Sequence, residues 1–399
     1  MLSSSEPAPS GSSRVKKLRV GVIYGGRSGE HEVSIASAAA VFKHLNRSRY
    51  EPVAIRIEKD GRWGLPDRPP TALAASEVIE QGRLASAHTV RPGKEAHLVA
   101  YPSEETILTI SRRRSDGDEG VRVTGLGLDV VFPVLHGPFG EDGTLQGLLE
   151  LANVPYVGAG VLASAVGMDK AFMKLAFAAR GLPISGYHVA NSHDWQAKRE
   201  AELDRVATLG YPVFVKPANL GSSVGISKAK TRDDLATAMD LAFEFDRKVV
   251  VEEAVPNARE IEVGVLGNDD PQASVAGEIV PAPGHEFYDY EAKYLDGGST
   301  PHIPAALDEP QAAEVRRLAV EAFRAVECAG MARVDFLLSR DSGRLYVNEV
   351  NTIPGFTTIS MFSQLWGATG VDYPALLDRL IQLAIERHAE KQRLKTSVL

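Results

Sequence analysis

The amino-terminal part of the chain reads as a strand, a helix and a second strand. The segment KKLRVGVIYGG (16–26) is a short apolar strand that ends in glycines. In HEVSIASAAAVFKHL (31–45), apolar residues recur at helical spacing. The segment YEPVAIRIEKDGRWG (50–64) is a second strand followed by a turn. This order predicts a βαβ unit, and therefore a parallel sheet.

The length of the chain predicts more than one domain, because 399 residues exceed one ordinary hydrophobic core. The first residues are rich in Ser, Pro and Gly, which is typical of a disordered tail. Later segments alternate helices with strands around a Gly/Ser loop, and the last part has neighbouring antiparallel strands. We predict a disordered tail (1–17), an amino-terminal α/β domain (18–158), a central domain (159–256) and a C-terminal domain (257–399). The charged run SRRRSDGDEG (111–120) is most simply a solvated turn.

The composition excludes several classes of protein. The chain has 44 basic and 52 acidic residues, and this negative balance argues against a nucleic-acid or anionic-membrane partner. A single cysteine, Cys328, excludes an internal disulfide and a thiolate metal cluster. No apolar run approaches the ~18 residues of a membrane span, and the tail lacks an apolar signal core. We therefore expect a cytoplasmic protein with no nucleic-acid or membrane partner.

Two strands near the carboxyl end carry polar side chains in pairs. MARVDFLLS (331–339) and LYVNEVN (345–351) flank a short turn, which predicts a hairpin. Residues two apart on a strand share a face, so Asp335, Glu349 and Asn351 are expected to converge. Two carboxylates and an amide oxygen are hard ligands that suit Mg²⁺. The alternative is a solvent-facing strand pair with ordinary ion pairs.

A second candidate site is VFVKPANLGSSVG (213–225), where Lys216 ends an apolar strand before a Gly/Ser loop. Backbone N–H groups in such a loop can approach phosphates closely, and the ammonium adds positive charge. The segment lacks the Walker pattern. The alternative is a strand-end lysine beside a hairpin turn.

The loop VIYGGRSGEHEVS (22–34) follows the first strand and resembles a dinucleotide fingerprint, but it has no GxGxxG. Acids at the helix start would repel phosphate and attract an ammonium group. We therefore predict a site for a cationic group, with Glu30 as the main contact. The alternative is that Glu30 and Glu32 only complement the helix dipole.

Two further residues are candidates by position. LHGPFGEDGTLQG (135–147) places His136 at the end of a third strand, where α/β sheets bind ligands. His136 and Glu141 are alternatively loop residues with local partners. Lys170, considered alone, is a helix lysine on the surface.

Taken together, these segments closely resemble the D-alanine–D-alanine ligases, which are ATP-grasp enzymes. The resemblance covers roughly residues 18–385 and rests on seven motifs in the family's order. They are GGRSGEHEVS (25–34), HGPFGEDGTLQG (136–147), MDK (168–170), VKPANLGSSVG (215–225), YDYEAKY (288–294), ARVDF (332–336) and NEVNTIPGFT (348–357).

The resemblance implies an α/β ATP-grasp fold: an amino-terminal parallel-sheet domain, with central and C-terminal α+β domains that grip ATP. It implies ATP-dependent joining of two D-alanine molecules through an acyl phosphate, for peptidoglycan precursor synthesis. It also implies two Mg²⁺ ions, which Mn²⁺ can replace, and a homodimer.

Residue roles follow from the same resemblance. Lys170, Lys216 and Lys293 would hold ATP phosphates, while Glu252, Glu253 and Val255 would receive adenine and Glu260 would contact ribose. Asp335, Glu349 and Asn351 would bind the metal ions. Glu30 would bind the ammonium of the first D-alanine, and Ser360 the carboxylate of the second. Arg333 and the Gly355 N–H would stabilise the oxyanion. Ser222 and Tyr294 would form a hydrogen-bond network with Glu30, and His136 would lie beside the substrate.

Three other functions stay open. A sister ligase would use D-lactate or D-serine as acceptor, and Tyr294 is expected to discriminate. An NAD-dependent oxidoreductase on the amino-terminal βαβ unit is disfavoured because GxGxxG is missing. A catalytically inactive nucleotide-binding module is disfavoured because Lys216 and the three predicted metal ligands are intact. Glu253 departs from the family's hinge pattern, and residues 65–120 have no assignable role.

Overall fold

The computed structural model describes residues 16–71, 78, 94–115, 118–281, 299–395 and 397. Residues 1–15 of the predicted tail lie outside these ranges. Three sheets organise the described chain, and they contain seven, four and five strands.

The first sheet begins with the predicted βαβ unit. Its elements are β1 (Leu18–Gly25), α1 (His31–His44), β2 (Tyr50–Ile57), β3 (Trp63–Leu65), β4 (Lys94–Leu98), β5 (Ile107–Ser115), β6 (Asp118–Leu126) and β7 (Val130–Pro133). Strand β1 pairs in parallel with both β2 and β7, which confirms the parallel sheet. Six consecutive residues of β1 are buried, as expected for a parallel strand covered on both faces.

Strands β3 to β6 extend this sheet with antiparallel pairs, in the order β6-β5-β4-β3-β2-β1-β7. The prediction of a solvated turn over 111–120 was wrong for most of that run. The ladder between β5 and β6 continues as far as the pair Ser115–Asp118. Backbone pairing with a neighbouring strand therefore outweighs the polar composition of this segment.

The central part contains helices α2 (Thr144–Leu151), α3 (Val161–Met168) and α4 (Lys170–Ala179), followed by the second sheet. That sheet and its helices comprise β8 (Tyr187–Asn191), α5 (Ser192–Ala207), β9 (Val213–Pro217), β10 (Ser227–Ala229), α6 (Arg232–Phe243) and β11 (Lys248–Glu253). The strand order is β10-β9-β11-β8, and its pairs are antiparallel.

The third sheet has the antiparallel order β14-β13-β12-β15-β16. Its elements and the following helices are β12 (Ala258–Gly267), β13 (Gln272–Pro281), β14 (Ser299–His302), α7 (Glu309–Ala325), β15 (Gly330–Ser339), β16 (Leu345–Asn351), α8 (Met361–Ala368) and α9 (Tyr373–Gln392). Helix α7 starts where Asp308 caps it, because the Asp308 side chain accepts the Gln311 N–H at 2.8 Å.

The hydrophobic core clusters connect some of the sheets and helices across the predicted domain boundaries and leave others separate. One core cluster joins β1 and β7 to helices α8 and α9, so the last helix completes the first sheet. A second cluster joins α4, through Met173 and Phe177, to the third sheet and α7. The second sheet has a core of its own with α5 and α6. The domain boundaries at 158 and 256 fall in loops and stay predictions, while α4 packs in the same core as the third sheet.

Among the helices that the structure describes, none combines the length and apolar character that a membrane span needs.

Candidate active site

The hairpin of β15 and β16 brings the predicted polar residues together. Asp335 lies directly opposite Glu349, and Arg333 lies opposite Asn351. The Arg333 guanidinium donates from Nε to Asp335 Oδ1 and from Nη2 to Asp335 Oδ2, both at 2.7 Å. Asn351 Nδ2 donates to Asp335 Oδ2 at 2.9 Å. The sequence prediction that these side chains converge is therefore confirmed, whereas the bidentate pair was not predicted.

A buried carboxylate on the adjacent strand completes this cluster. Glu262 of β12 lies opposite Asp335, and its Oε2 is 3.1 Å from Arg333 Nε. The Glu262 residue is only 4% exposed. Arg333 is therefore held between two carboxylates, which restricts where its guanidinium can point.

The chemistry of the hairpin side chains fits a hard cation. Asp335, Glu349 and Asn351 offer carboxylate and amide oxygens, and Asp335 already draws a guanidinium to itself. In the part of the chain that the structure describes, no group of three or more His, Cys, Asp or Glu residues forms a metal site. A divalent ion at the hairpin would thus need additional oxygen ligands from a substrate or water.

A buried ion cluster lies beside the hairpin. Glu252 Oε2 accepts from Lys216 Nζ at 3.2 Å and is 3.3 Å from Lys174 Nζ. Lys216 Nζ also lies 3.4 Å from Asn348 Oδ1 on β16, so this lysine reaches from the second sheet to the third. Burial alone would raise the pKa of Glu252, but Lys174 and Lys216 outweigh it and lower that pKa to about 2.

The pKa values of the two lysines in this cluster are shifted in opposite directions. Burial lowers the pKa of Lys174, and Glu252 only partly offsets this effect. Burial also acts to lower the pKa of Lys216, but Glu252 and Glu349 outweigh it and the pKa of Lys216 is raised. Sequence reasoning missed Lys174. The available signal was its position four residues after Lys170, which places both on one helical face.

The Gly/Ser loop connects Lys170 with Glu30. Lys170 is 8% exposed and donates from Nζ to the Leu220 carbonyl at 2.5 Å, so it is not a surface lysine. Ser222 and Ser223 have φ of 50° and 58°, a left-handed conformation that is uncommon for consecutive residues other than glycine. The Ser222 hydroxyl donates to Glu30 Oε1. The predicted contact between Ser222 and Glu30 is therefore present.

Glu30 immediately precedes α1 and faces two glycine loops. A Cβ atom at Gly137 would lie 3.0 Å from Glu30 Oε2, and one at Gly221 would lie 3.1 Å from the same oxygen. These glycines thus permit a close approach of both loops to the carboxylate.

His136 is buried, and both of its ring nitrogens have protein partners. Nδ1 is 3.1 Å from the Ile353 carbonyl oxygen and Nε2 is 3.3 Å from Ser37 Oγ. Burial lowers the pKa of His136, and the Glu30 carboxylate opposes this only in part. His136 therefore docks the loop after β16 onto the first domain, which is a positioning contact.

Glu141 lies on a cavity that Lys170, Ser222, Glu349 and Asn351 also line. Its Oε2 is buried and has no hydrogen-bond partner among the described residues. Burial raises the pKa of Glu141 well above its usual range, and the Glu30 carboxylate adds to this effect.

The loop after β16 carries two predicted substrate contacts. Ser360 Oγ accepts the Thr357 N–H at 3.0 Å and lies 2.7 Å from Thr357 Oγ1. A Cβ atom at Gly355 would lie 3.2 Å from Ser360 Oγ, so this glycine keeps the loop compact. Phe356 N donates to Ser37 Oγ at 3.3 Å, which anchors the same loop to α1.

The predicted hinge contacts lie at the end of β11 and in the residues after it. Glu253 is exposed, whereas Val255 and Glu260 are half-buried. The Glu253 N–H donates to the Gly186 carbonyl at 2.9 Å, which holds the strand end in place. Lys293 and Tyr294 lie outside the described residues.

The chain matches two family models. The model described as the D-ala D-ala ligase N-terminus matches residues 19–159, and that of the D-ala D-ala ligase C-terminus matches residues 176–382. A D-alanine–D-alanine ligase of Bacillus cytotoxicus is 49% identical over 383 residues, which are 96% of this chain and 99% of the relative.

Solved structures are similar over nearly the whole chain. The D-alanine-D-alanine ligase from Coxiella burnetii is 36% identical with a TM-score of 0.76, covering 95% of this chain and 97% of the other. The VanG D-Ala:D-Ser ligase from Enterococcus faecalis is 33% identical with a TM-score of 0.77, covering 92% of this chain and 100% of the other.

Proposed function

The chain belongs to the D-alanine–D-alanine ligase family, and we infer from this membership that it joins two D-alanine molecules at the expense of ATP. It is an ATP-dependent ligase with the predicted ATP-grasp fold. One observation supports the residue assignments that follow: Lys170, Glu349 and Asn351 line one cavity together with Ser222, whose hydroxyl donates to Glu30.

The proposed reaction has two steps. A carboxylate is a poor electrophile, so the γ-phosphoryl group of ATP is first transferred to the first D-alanine, which gives an acyl phosphate and ADP. The amine of the second D-alanine then attacks the acyl carbon and loses a proton, and phosphate leaves. The cleft must exclude water during this sequence, because water would hydrolyse the acyl phosphate.

We assign Lys170 and Lys216 to the ATP phosphates. Both ammonium groups lie near the cavity or the hairpin, where they can neutralise phosphate charge. Lys293 would add a third ammonium. Glu252, Glu253 and Val255 are assigned to adenine and Glu260 to ribose. Glu252 and Glu253 end the strand β11 that carries this cluster, and Val255 and Glu260 come after it.

We assign Asp335, Glu349 and Asn351 to Mg²⁺. The support is the hard-oxygen donor set on facing strands and the attraction that Asp335 already exerts on a cation. Bound Mg²⁺ supplies positive charge that offsets the charge of the transferred phosphoryl group. Two ions, with Mn²⁺ as a substitute, are the proposed occupancy.

We assign Glu30 to the ammonium of the first D-alanine, with Ser222 and Tyr294 as its partners. Arg333 and the Gly355 N–H would donate to the oxyanion of the tetrahedral intermediate. Ser360 would bind the carboxylate of the second D-alanine. His136 would act beside the substrate by fixing the Ile353 loop, as its two ring contacts suggest.

A second candidate is a ligase that uses another acceptor. The observation that favours it is the similarity to the VanG D-Ala:D-Ser ligase over 92% of this chain. The two functions differ only in the molecule that attacks the acyl phosphate.

The deciding experiment measures phosphate release from ATP and identifies the product by mass spectrometry. D-Alanine alone, D-alanine with D-serine or D-lactate, L-alanine, and no substrate are compared in the presence of Mg²⁺. We expect D-alanyl-D-alanine with D-alanine alone, and Glu349→Gln serves as the inactive control. Formation of mainly D-alanyl-D-serine from the mixed substrates would instead favour the second candidate.

A homodimer and a cytoplasmic location remain part of the proposal. The dimer is suggested by the family resemblance, and the location by the requirement for ATP. Light scattering after size-exclusion chromatography tests the dimer directly, since a mass near 42.9 kDa would identify a monomer.

A further inference from the structure

Lys174 is a buried cation with no role in the function described so far. It lies on α4 and its residue has no exposed surface. Its Nζ is 3.3 Å from Glu252 Oε2, and the centroid of the Tyr187 ring lies 5.6 Å from the same nitrogen. A buried ammonium is unfavourable without a counterion, so its position needs an explanation beyond packing.

Two ammonium groups share one carboxylate oxygen. Lys216 Nζ contacts the same Glu252 Oε2 at 3.2 Å. The side chain of Lys216 is 12% exposed, whereas those of Lys174 and Glu252 are 1% and 5% exposed. Lys216 is therefore the more accessible cation, and it alone of these three also reaches Asn348 on the hairpin.

The arrangement has a consequence for ligand binding. A lysine that turns toward a phosphate must give up part of its interaction with Glu252. If it were the sole counterion, this would leave a buried and uncompensated carboxylate. Lys174 would remove that penalty by staying beside Glu252 when Lys216 engages a ligand.

We propose that Lys174 is a positioning residue for the nucleotide: it is the permanent counterion of Glu252 and thereby releases Lys216 to bind a polyphosphate. This inference rests on the assignment of Lys216 to ATP under the proposed function. It identifies Lys174 as a determinant of nucleotide affinity that acts without touching the nucleotide.

The test measures the dissociation constant of Mg·ADP for the full-length protein by isothermal titration calorimetry. Lys174→Met keeps the length of the side chain and removes its charge. We expect the dissociation constant to rise at least about tenfold, since a buried carboxylate then competes with ADP for Lys216. Lys174→Arg keeps the charge and should recover most of the affinity. KM for D-alanine at saturating ATP should change less than twofold.

Two controls separate this role from loosening of the helix. Phe177→Leu removes buried volume from the same helix without touching Glu252, and it reports what destabilisation alone does to ADP affinity. In a Glu252→Gln background, Lys174→Met should weaken ADP little further, because a neutral side chain needs no counterion. Should Lys174→Met fail to fold, Lys174→Gln takes its place in both comparisons.

The outcomes are distinguishable. If Lys174→Met leaves ADP affinity within twofold, or weakens it no more than Phe177→Leu does, then the role of Lys174 is overturned. If Lys216→Met does not weaken ADP either, the assignment of Lys216 under the proposed function fails as well. Weak ADP binding in Lys216→Met with normal binding in Lys174→Met would overturn this inference alone.

Discussion

The two sides of the cleft have opposite electrostatic character. On one side, Lys174 and Lys216 both contact a single buried carboxylate, Glu252. On the other side lie three carboxylates, Glu30, Glu141 and Glu349. Burial raises the pKa of Glu141 well above its usual range, and the negative charges of Glu30 and Glu349 add to this effect.

This difference matches the two kinds of ligand that a D-alanine–D-alanine ligase handles. Phosphate groups are anionic, and they are expected on the lysine-rich side. The ammonium of an amino acid and a divalent metal ion are cationic, and they are expected on the acid-rich side. With the assignments proposed above, the cleft would sort its ligands by charge before any specific hydrogen bond forms.

The largest expected effect comes from neutralising the carboxylate on the lysine-rich side. Glu252→Gln leaves Lys174 buried without an anion, and the free energy of unfolding should fall by about 3–5 kcal/mol. Urea denaturation at pH 7 measures the change. As a control, Glu253→Gln alters an exposed neighbour and should change stability by less than about 0.5 kcal/mol. Equal stability of the Glu252→Gln and Glu253→Gln proteins would contradict the buried ion cluster.

The same carboxylate predicts a pH dependence of stability. Its folded pKa is about 2 and lies below the ordinary value of 4.5. A lowered folded pKa stabilises the fold above the unfolded pKa, and this contribution is lost as pH falls from 4.5 to about 2. The difference in stability between wild type and Glu252→Gln should therefore shrink across this window. A difference that stays constant down to pH 3 would show that Glu252 has no lowered pKa.

A somewhat smaller effect is expected when the acid-rich side loses a metal ligand. Glu349→Gln keeps the shape and removes the charge, so turnover should fall by about 100-fold or more at saturating D-alanine. The melting temperature should stay near the wild-type value, which excludes unfolding as the cause. Near-normal Mg²⁺-dependent turnover in this variant would remove Glu349 from the proposed metal site.

Glu30→Gln should distinguish most clearly between amino-acid binding on the acid-rich side and ATP binding on the lysine-rich side. A hydrogen bond to a charged group is worth about 1.5–3 kcal/mol, so KM for the first D-alanine should rise at least about tenfold. KM for ATP should change little, because phosphate binding depends on the lysine-rich side. Steady-state kinetics with each substrate varied in turn provides the measurement. An unchanged KM for D-alanine would show that Glu30 does not bind the substrate and only precedes the start of α1.

The smallest effect is expected from Ser222→Ala. It removes the hydroxyl that donates to Glu30 and leaves the carboxylate. The loss of about 1 kcal/mol should raise KM for the first D-alanine about fivefold. In the Glu30→Gln background the same substitution should add much less, since the two residues act through one contact. Full additivity in the double variant would mean that Ser222 acts independently of Glu30.

The sequence predicted those parts of the site whose geometry follows from local periodicity. Residues two apart on a strand share a face, and a short turn sets the register, so Asp335 and Glu349 were expected to meet. The βαβ order likewise predicted the parallel pairing of β1 with β2. Both inferences need only neighbouring residues and the fixed geometry of strands.

The rest depended on contacts between distant segments. The pairing of Arg333 with Glu262 needs the register of β12 against β15, which no local pattern encodes. The surroundings of Lys174 depend on Glu252 of β11 and Tyr187 of β8, which belong to the second sheet. Helix periodicity shows which face of the helix a lysine occupies, but not whether a carboxylate of another element lies opposite that face.

Helix α9 has a consequence for how the protein is made. Residues such as Leu376, Leu380 and Ile381 belong to the same core cluster as β1 and β7, and Arg387 donates to the Tyr156 carbonyl at 3.0 Å. Domains usually fold in the order in which they leave the ribosome. Here the first sheet and α1 are synthesised early, but their shared core also includes α9, which follows the second and third sheets in the chain. The part of this core that α9 covers therefore stays exposed on the nascent amino-terminal domain until α9 has been synthesised.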